Sequence, residues 1–336
     1  MKAAIFRQAG QPLAVEDVPD PTPGPGEIVV QVGRCGICGT DLHMTSGHGY
    51  TYPAGTTPGH EFAGEVVAIG GGVRKLKVGD RVASLPMTGC GACIACQEGT
   101  PFFCSQSMRG LPGAFAQYTL ATERESVKLP TSLSLADGAL VEPLAVGLHG
   151  VALAQMAPGA RVLVLGAGPI GLATVFWARR LGAGAIAVSA ASRRREPLAR
   201  EMGADAFLDP ELAPEQAAQA ALGGAPDLVF ECAGAPGLIA QAVGAVRSRG
   251  TVVVLGCCSV PDTFVPAAGL FKEVRLQFAN TYSVAQFEHV ARTLDAGHLE
   301  PRAMVTDTVG LQALPATFEA LRERTAQCKV LLDPWR

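Results

Sequence analysis

The chain lacks a strong excess of charge of either sign. Among its 336 residues, 27 Lys and Arg stand against 30 Asp and Glu, which gives a formal net charge of -3. A nucleic-acid-binding surface needs clustered basic residues, and the unbroken basic run Arg193–Arg195 is too short to form one. We therefore expect no nucleic-acid partner.

The sequence also has little that could enter a membrane. The uncharged stretch 162–178 falls short of the roughly 20 apolar residues that a spanning helix needs, and Gly166, Gly168 and Pro169 interrupt it. The first ten residues lack the apolar core of a secretory signal. We expect a cytoplasmic protein without a membrane partner. Thiols stay reduced in that compartment, so the ten cysteines are interpreted as metal ligands or core residues.

The length and the hydrophobic content of 48% predict two domains with large cores. Residues 1–142 contain short β-like runs broken by Gly and Pro, for example Phe115–Leu120, which indicates an irregular β-rich domain. Residues 143–283 alternate apolar strands with helical stretches. That alternation predicts an α/β domain with a doubly wound parallel sheet. Residues 284–336, with a helical stretch at 311–323, are expected to complete the first domain.

A glycine-rich turn marks a dinucleotide site. The strand Leu163–Leu165 leads into Gly166-Ala167-Gly168-Pro169-Ile170-Gly171, and a helical pattern follows. This G-x-G-x-x-G spacing between strand and helix permits a tight turn and close approach to a pyrophosphate at the helix N-terminus. The alternative is a glycine turn with only a structural role.

The choice of dinucleotide is determined at the end of the second strand, about 20 residues later, where an acidic residue would bind the ribose of NAD. The segment there is Ser189-Ala190-Ala191-Ser192-Arg193-Arg194-Arg195, without Asp or Glu. Ser189, Ser192, Arg193 and Arg194 could bind a 2′-phosphate, so NADP is favoured, with NAD as the alternative. The arginines could instead form a solvated helix face.

Four closely spaced cysteines predict a structural zinc site. Cys90, Cys93, Cys96 and Cys104 form C-x2-C-x2-C-x7-C in a glycine-containing loop. Four thiolates leave no open position on a tetrahedral zinc ion, so the site would be structural. An iron–sulfur cluster and free thiols are the alternatives.

A second set of metal-ligand residues is dispersed along the chain. A catalytic zinc needs a few protein ligands and one exchangeable position. Cys38, His60 and Glu142 would supply the ligands, with Glu61 as a neighbouring or alternating ligand. Spacing alone leaves the structural alternative open, since a lone His after Gly or a Glu before Pro is commonly structural.

Several motifs together resemble the zinc-containing medium-chain dehydrogenase/reductase family, over nearly the whole chain. They are C-G-T-D-L-H at 38–43, G-H-E-F-A-G-E-V at 59–66, the four-cysteine loop, E-P-L at 142–144 and G-A-G-P-I-G at 166–171. In having glutamate at position 142, the chain resembles the sorbitol, butanediol and threonine dehydrogenase branch of this family. The resemblance implies a GroES-like catalytic domain, a Rossmann domain, and a homodimer or homotetramer. The chain has Ala190 where the NAD-using members of the family have an acidic residue, and this difference favours NADP.

The resemblance also implies roles for single residues. Cys38, His60 and Glu142 would bind the catalytic zinc, with Glu61 beside it, and Asp41 would orient His60. Thr40 and His43 would carry the proton of the substrate hydroxyl to water.

The predicted activity is zinc-dependent hydride transfer between a secondary alcohol or polyol, or the corresponding ketone, and NADP or NAD. A zinc-free quinone or enoyl reductase and a non-catalytic dinucleotide-binding protein are the alternatives.

Overall fold

The computed structural model describes residues 1–323 and 325–336. Internal contacts divide the described chain into two compact units, Met1–Ala145 with Tyr282–Arg336, and Val146–Thr281. The assignment of functions to domains with borders after residues 142 and 283 stays a prediction. Among the described residues, no helix has the length and apolarity needed to cross a bilayer.

The first unit begins with short strands separated by turns. These strands are β1 (Lys2–Ile5), β2 (Ala14–Asp17), β3 (Glu27–Gly36), β4 (Glu61–Ile69), β5 (Arg81–Ser84), β6 (Met87–Thr88), β7 (Arg109–Gly110), β8 (Tyr118–Thr122) and β9 (Ser126–Lys128). The helices of this part are α1 (Gly39–Met44), α2 (Ile94–Gln97), α3 (Leu135–Ala139) and α4 (Val141–Leu153), the last of which contains the border.

The second unit alternates strands with helices. Its elements in chain order are β10 (Arg161–Leu165), α5 (Pro169–Arg180), β11 (Ala185–Ser189), α6 (Glu196–Glu201), β12 (Ala206–Phe207), α7 (Pro214–Leu222), β13 (Leu228–Glu231), α8 (Leu238–Ala245), β14 (Thr251–Val254), α9 (Pro266–Leu270) and β15 (Arg275–Phe278).

The six strands of the second unit form the predicted parallel sheet, in the order β12-β11-β10-β13-β14-β15. β10 and β13 are buried along nearly their whole length, which explains their uninterrupted apolar sequence. The strand order reverses between β10 and β13. Ligands of doubly wound sheets bind beyond the carboxyl ends of the strands at such a reversal.

The chain returns to the first unit through α10 (Val284–Asp295), β16 (Val305–Gly310), α11 (Leu314–Ala320) and β17 (Lys329–Asp333). These last strands extend a seven-stranded sheet of order β16-β17-β3-β4-β5-β9, with β8 also paired to β3. β17 runs antiparallel to β3, and Leu331 pairs with Gly36. This register brings Lys329, at the start of β17, beside the segment that leads from β3 to Cys38.

Two predicted elements differ in extent. The helix expected over 311–323 is α11, which begins only at Leu314, because Pro315 occupies its first turn and cannot continue a helix from the N-terminal side. The strand expected at Phe115–Leu120 is β8, which begins only at Tyr118. Ala116 pairs instead with Ala3 in an isolated bridge, and Phe115 accepts a hydrogen bond from the Ala4 amide.

Candidate active site

Cys38 lies at the N-terminus of helix α1. Its sulfur accepts a hydrogen bond from the Thr40 amide at 3.4 Å, while its own amide donates to Asp41 Oδ2 at 3.2 Å. These reciprocal bonds form a capping box that fixes the start of the helix. The Cys38 thiol is thereby held beside Asp41, which is completely buried.

His60 stands directly before strand β4 and faces Asp41. The His60 Nδ1 atom is 3.3 Å from Asp41 Oδ1, which leaves Nε2 as the nitrogen for a metal. Burial lowers the pKa of His60, but the negative charges of Asp41 and Cys38 raise it by more, so this pKa lies well above its usual range. The negative charges beside the imidazole therefore stabilise positive charge on the ring.

Glu61, the first residue of β4, completes a cluster of potential metal ligands. One ligand atom each of Cys38, His60 and Glu61 lies within 4.8 Å of the others. A thiol, an imidazole and a carboxylate are the donors that zinc takes in proteins. The residues therefore fit a zinc ion.

Lys329 forms a buried ion pair with Glu61 that the sequence analysis missed. Its Nζ atom lies 2.7 and 2.5 Å from the two Glu61 carboxylate oxygens and 3.0 Å from the Ile37 carbonyl oxygen. Lys329 is 1% exposed and the Glu61 side chain 0%. The signal in the sequence was a lysine at the start of the apolar run Val330–Leu332, at a position expected to be buried.

Glu142, near the start of α4, does not belong to this cluster of three. Its Oε1 atom accepts a hydrogen bond from the Tyr282 hydroxyl at 2.6 Å, and both side chains are buried. Burial raises the pKa of Glu142 to about 7. The structure thus holds Glu61 by Lys329 and Glu142 by Tyr282, and only Glu61 shares the compact group with Cys38 and His60.

Thr40 and His43, the predicted proton carriers, lie on helix α1. Their spacing of three residues places them on the same side of the helix. Thr40 is exposed, whereas the Nε2 atom of His43 is buried and has no hydrogen-bond partner in the described part of the chain. A buried ring nitrogen without a partner is costly, so a bound molecule with a hydroxyl group would stabilise it.

The four cysteines predicted to hold the second zinc lie together. Their sulfur atoms are all within 4.8 Å of one another, and Cys90 Sγ and Cys96 Sγ are 3.9 Å apart. Four Zn–S bonds of about 2.3 Å in a tetrahedron require sulfur atoms about 3.8 Å apart. Hydrogen bonds from backbone amides, that of Cys90 first, lower the pKa of Cys104 to about 6, which favours the thiolate. The loop therefore fits a structural zinc ion.

The backbone of the cysteine loop packs closely on its surroundings. A Cβ atom at Gly89 would lie 2.4 Å from Cys96 Sγ. Gly91 has a φ of +78°, and a Cβ atom there would lie 1.9 Å from Arg124 Nη1. Arg124 donates to the Gly89 carbonyl oxygen at 2.8 Å and pairs with the buried Glu125 at 2.7 Å. The positive φ therefore favours glycine at position 91, and a side chain at position 89 would displace the Cys96 sulfur.

The glycine-rich turn connects β10 to α5. Gly166 has a φ of +107°, and Pro169 begins the helix after the extended Gly168. A Cβ atom at Gly171 would lie 1.9 Å from the Gly166 carbonyl oxygen, so only glycine lets the helix approach the turn this closely. The backbone amides of Ile170 and Gly171, which follow Pro169, lie in the first turn of α5. Proteins of this fold bind a pyrophosphate at that position.

The three arginines 193–195 lie shortly after strand β11, which ends at Ser189. Residues Ala190, Ala191 and Ser192 connect the strand to them. Arg193–Arg195 form a short 3-10 turn. Arg193 pairs with Glu196 at 2.6 Å. The Arg195 Nη1 atom lies 3.4 Å from the Ala167 carbonyl oxygen, in the glycine-rich turn. Arg195 was not among the predicted cofactor residues, although its position beside Arg194 was a signal.

A GroES-like domain and a dinucleotide-binding domain, with two clusters of zinc ligands, define a zinc-type alcohol dehydrogenase. Two family descriptions match the chain: "Alcohol dehydrogenase GroES-like domain" over residues 24–131 and "Zinc-binding dehydrogenase" over residues 169–296. Sorbitol dehydrogenase of Bacillus subtilis is 32% identical, with 100% of this chain and 98% of the relative covered. The chain belongs to the zinc-containing medium-chain alcohol dehydrogenase family.

Solved structures agree with this assignment. A zinc-binding dehydrogenase from Sinorhizobium meliloti, crystallised with NADP, is 33% identical and has a TM-score of 0.88, with 99% of both chains covered. The Escherichia coli protein RspB, crystallised with NADH, is 29% identical and has a TM-score of 0.90 at the same coverage. The protein is therefore an alcohol or polyol oxidoreductase by family, which confirms the predicted class of enzyme.

Proposed function

We propose that this enzyme oxidises a secondary alcohol or polyol, or reduces the corresponding ketone, with NADP as the preferred dinucleotide and NAD as the alternative. The observation that carries the proposal is the compact group of Cys38, His60 and Glu61, with Asp41 behind His60. It has the donor types of a catalytic zinc site and an additional residue that orients the imidazole.

In this proposal, a bound zinc ion would supply a Lewis acid that lowers the pKa of a substrate hydroxyl, and a bound dinucleotide would supply the hydride acceptor. Cys38 and His60 would hold the metal, together with Glu61 or Glu142. Asp41 holds His60 through Nδ1, which would leave Nε2 free for the metal. Thr40 would accept a hydrogen bond from the substrate hydroxyl and donate its own proton onward, through the nicotinamide ribose to His43 and then to water. One proton and one hydride would thus leave the alcohol together.

The dinucleotide contacts are proposed from the geometry of the second unit. The Gly166–Gly171 turn would bind the pyrophosphate through backbone amides, with Gly168, Pro169 and Ile170 at the N-terminus of α5. Arg193 and Arg194, joined by Arg195, would bind the 2′-phosphate of NADP, with Ser189, Ala190 and Ser192 beside it. The Arg193–Glu196 pair lies at the surface, where ion pairs are weak, so a phosphate group can replace Glu196.

The sorbitol dehydrogenase relative supports the polyol substrate, and the NADP-bound relative supports the cofactor. We also propose a homodimer or homotetramer. Strand β15 ends the sheet order, and it carries Phe278 with 62% of its surface exposed. A second copy of the chain that pairs with β15 would cover the edge of the sheet and the Phe278 side chain. Light scattering on the purified protein gives its molar mass, which tests the proposed dimer or tetramer.

The experiment that tests the proposed function compares Cys38→Ser with Cys257→Ser. Cys257 is exposed and has no proposed role, so it is the matched control. We expect Cys38→Ser to lose about one zinc ion per chain and its turnover of secondary alcohols, while the zinc of the four-cysteine loop remains. Full turnover in Cys38→Ser would contradict the proposal and favour a zinc-free reductase.

A further inference from the structure

The carboxylate of Asp41 is surrounded by hydrogen-bond donors. Its Oδ1 atom is 3.1 Å from the Tyr52 hydroxyl, 3.2 Å from the Gly59 amide and 3.3 Å from His60 Nδ1. Its Oδ2 atom accepts from the Cys38 amide at 3.2 Å. Asp41 is completely buried, so no water competes for these bonds. The orientation of the carboxylate is therefore set by its four neighbours.

Two of these neighbours are backbone amides that come with the metal ligands themselves, since Gly59 precedes His60. Tyr52 differs, because it is a side chain from the loop between α1 and β4 and is not part of any motif. The Tyr52 hydroxyl is the one side-chain donor on Asp41 besides His60 among the hydrogen bonds of the described residues. Burial, with the charge of Asp41, raises the pKa of Tyr52, so the hydroxyl keeps its proton.

Tyr52 is itself held from two directions. Its amide donates to the Met44 carbonyl oxygen at 3.0 Å, at the end of helix α1. Its ring packs edge-on against Phe6, with ring centroids 6.5 Å apart at an interplanar angle of 62°. Phe6 forms a bridge with Thr56, and its carbonyl oxygen accepts from the Gly55 amide at 2.8 Å. The hydroxyl is thus fixed relative to Asp41 before any ligand binds.

We propose that Tyr52 is a positioning residue for the zinc ligand His60, acting through Asp41. The Tyr52 hydroxyl donates to Oδ1, so that the carboxylate is held with this oxygen toward His60 Nδ1 and the imidazole keeps Nε2 for the metal. This inference rests on the proposed zinc site at Cys38 and His60, and it adds a residue that the family motifs do not include.

The test is the rate at which zinc leaves the protein. Tyr52→Phe keeps the ring packed on Phe6 and removes only the hydroxyl. A net hydrogen bond corresponds to about a twofold to tenfold change in an equilibrium, and residues that support metal ligands change metal affinity by about tenfold or more. We therefore expect zinc release to a chelator to be about twofold to tenfold faster from the Cys38 site.

Three further measurements make the result specific. Tyr50→Phe is the matched control, because Tyr50 lies in the same loop and is 81% exposed. The release phase that remains in Cys38→Ser identifies the four-cysteine zinc, and this phase should not change in Tyr52→Phe. The thermal unfolding midpoint of the apo protein reports separately on the fold, because Tyr52→Phe retains the ring packing and removes one hydrogen bond.

Each outcome decides the matter. Faster release confined to the Cys38 phase, with Tyr50→Phe unchanged, supports the positioning role. Equal rates in Tyr52→Phe and wild type would overturn it. So would faster release of both zinc ions with a lower unfolding midpoint, which would mean that the hydroxyl only stabilises the fold. A wild-type protein without a Cys38-dependent zinc ion would overturn the proposed function, and this inference with it.

Discussion

The buried ion pair between Lys329 and Glu61 makes a strong prediction about stability. The substitution Lys329→Met keeps the volume of the side-chain stem and removes the ammonium group. Glu61 then loses a partner that contacts both of its oxygens, at 2.7 and 2.5 Å, while its side chain remains 0% exposed. The carboxylate is left in a site where water cannot replace the lost partner.

The expected cost follows from burial. Removing one member of a buried pair costs about 3–5 kcal/mol, because the remaining charge is uncompensated. An exposed pair is worth about 0–1 kcal/mol. The pair of Lys2 and Asp17, at 3.2 Å with side chains 48% and 79% exposed, is of that kind. We expect Lys329→Met to lower the free energy of unfolding by about 3–5 kcal/mol and Lys2→Met by less than about 1 kcal/mol.

Zinc should reduce this loss. The Glu61 carboxylate lies within 4.8 Å of the ligand atoms of Cys38 and His60, so a metal there offers Glu61 a second positive partner. Urea unfolding of Lys329→Met, zinc-loaded and zinc-free, measures the difference. The double variant Glu61→Gln with Lys329→Met should recover most of the stability. If Lys329→Met in the zinc-free protein costs no more than Lys2→Met, the reasoning from burial is refuted.

Three further predictions concern other parts of the chain. The double substitution Arg193→Ala with Arg195→Ala should weaken NADP binding about tenfold to a hundredfold and NAD binding much less, because only NADP has the 2′-phosphate that these arginines would bind. Calorimetric titration measures the affinities for both dinucleotides. Gly91→Ala should destabilise the cysteine loop by about 1–2 kcal/mol in zinc-loaded protein, because alanine disfavours the φ of +78° there. Glu231→Gln should flatten the pH dependence of stability. Burial raises the pKa of Glu231. The stability that this group contributes is therefore greatest below about pH 4 and is lost as the pH rises through the raised pKa. The unfolding midpoint of the wild type, measured from pH 4 to 8, would show this loss.

The first two of these predictions have a control variant. Arg200→Ala removes an arginine that also pairs with Glu196, and equal losses of NADP and NAD affinity in the double arginine variant would refute a phosphate role. Gly110→Ala adds a methyl group where nothing lies within 4 Å, and Gly91→Ala should cost clearly more. For Glu231, parallel pH curves for variant and wild type would contradict a raised pKa.

The sequence was sufficient where the interacting residues are close along the chain. The glycine-rich turn spans Gly166–Gly171, and the four cysteines lie within residues 90–104, so spacing alone predicts which backbone and sulfur atoms meet. The parallel sheet was predictable for a similar reason, because strands buried on both faces are apolar throughout.

The supporting residues of the site could not be predicted in this way. Lys329 reaches Glu61 from 268 positions away, and Tyr282 reaches Glu142 from 140 positions away. Such contacts depend on the pairing of β17 with β3 and on the start of α10, which no local pattern specifies. The contact of Arg195 with the glycine-rich turn depends on the 3-10 turn at 193–195. Three arginines in a row do not indicate which of them makes this contact.

The central claim is that this dehydrogenase carries one catalytic and one structural zinc ion, and the metal content of the purified chain tests it most directly. Elemental analysis of protein prepared without added metal, checked by native mass spectrometry, should give about two zinc ions per chain. About one zinc ion, retained after Cys38→Ser, would mean that the Cys38 and His60 group does not bind the metal. Iron in place of zinc would contradict the account altogether.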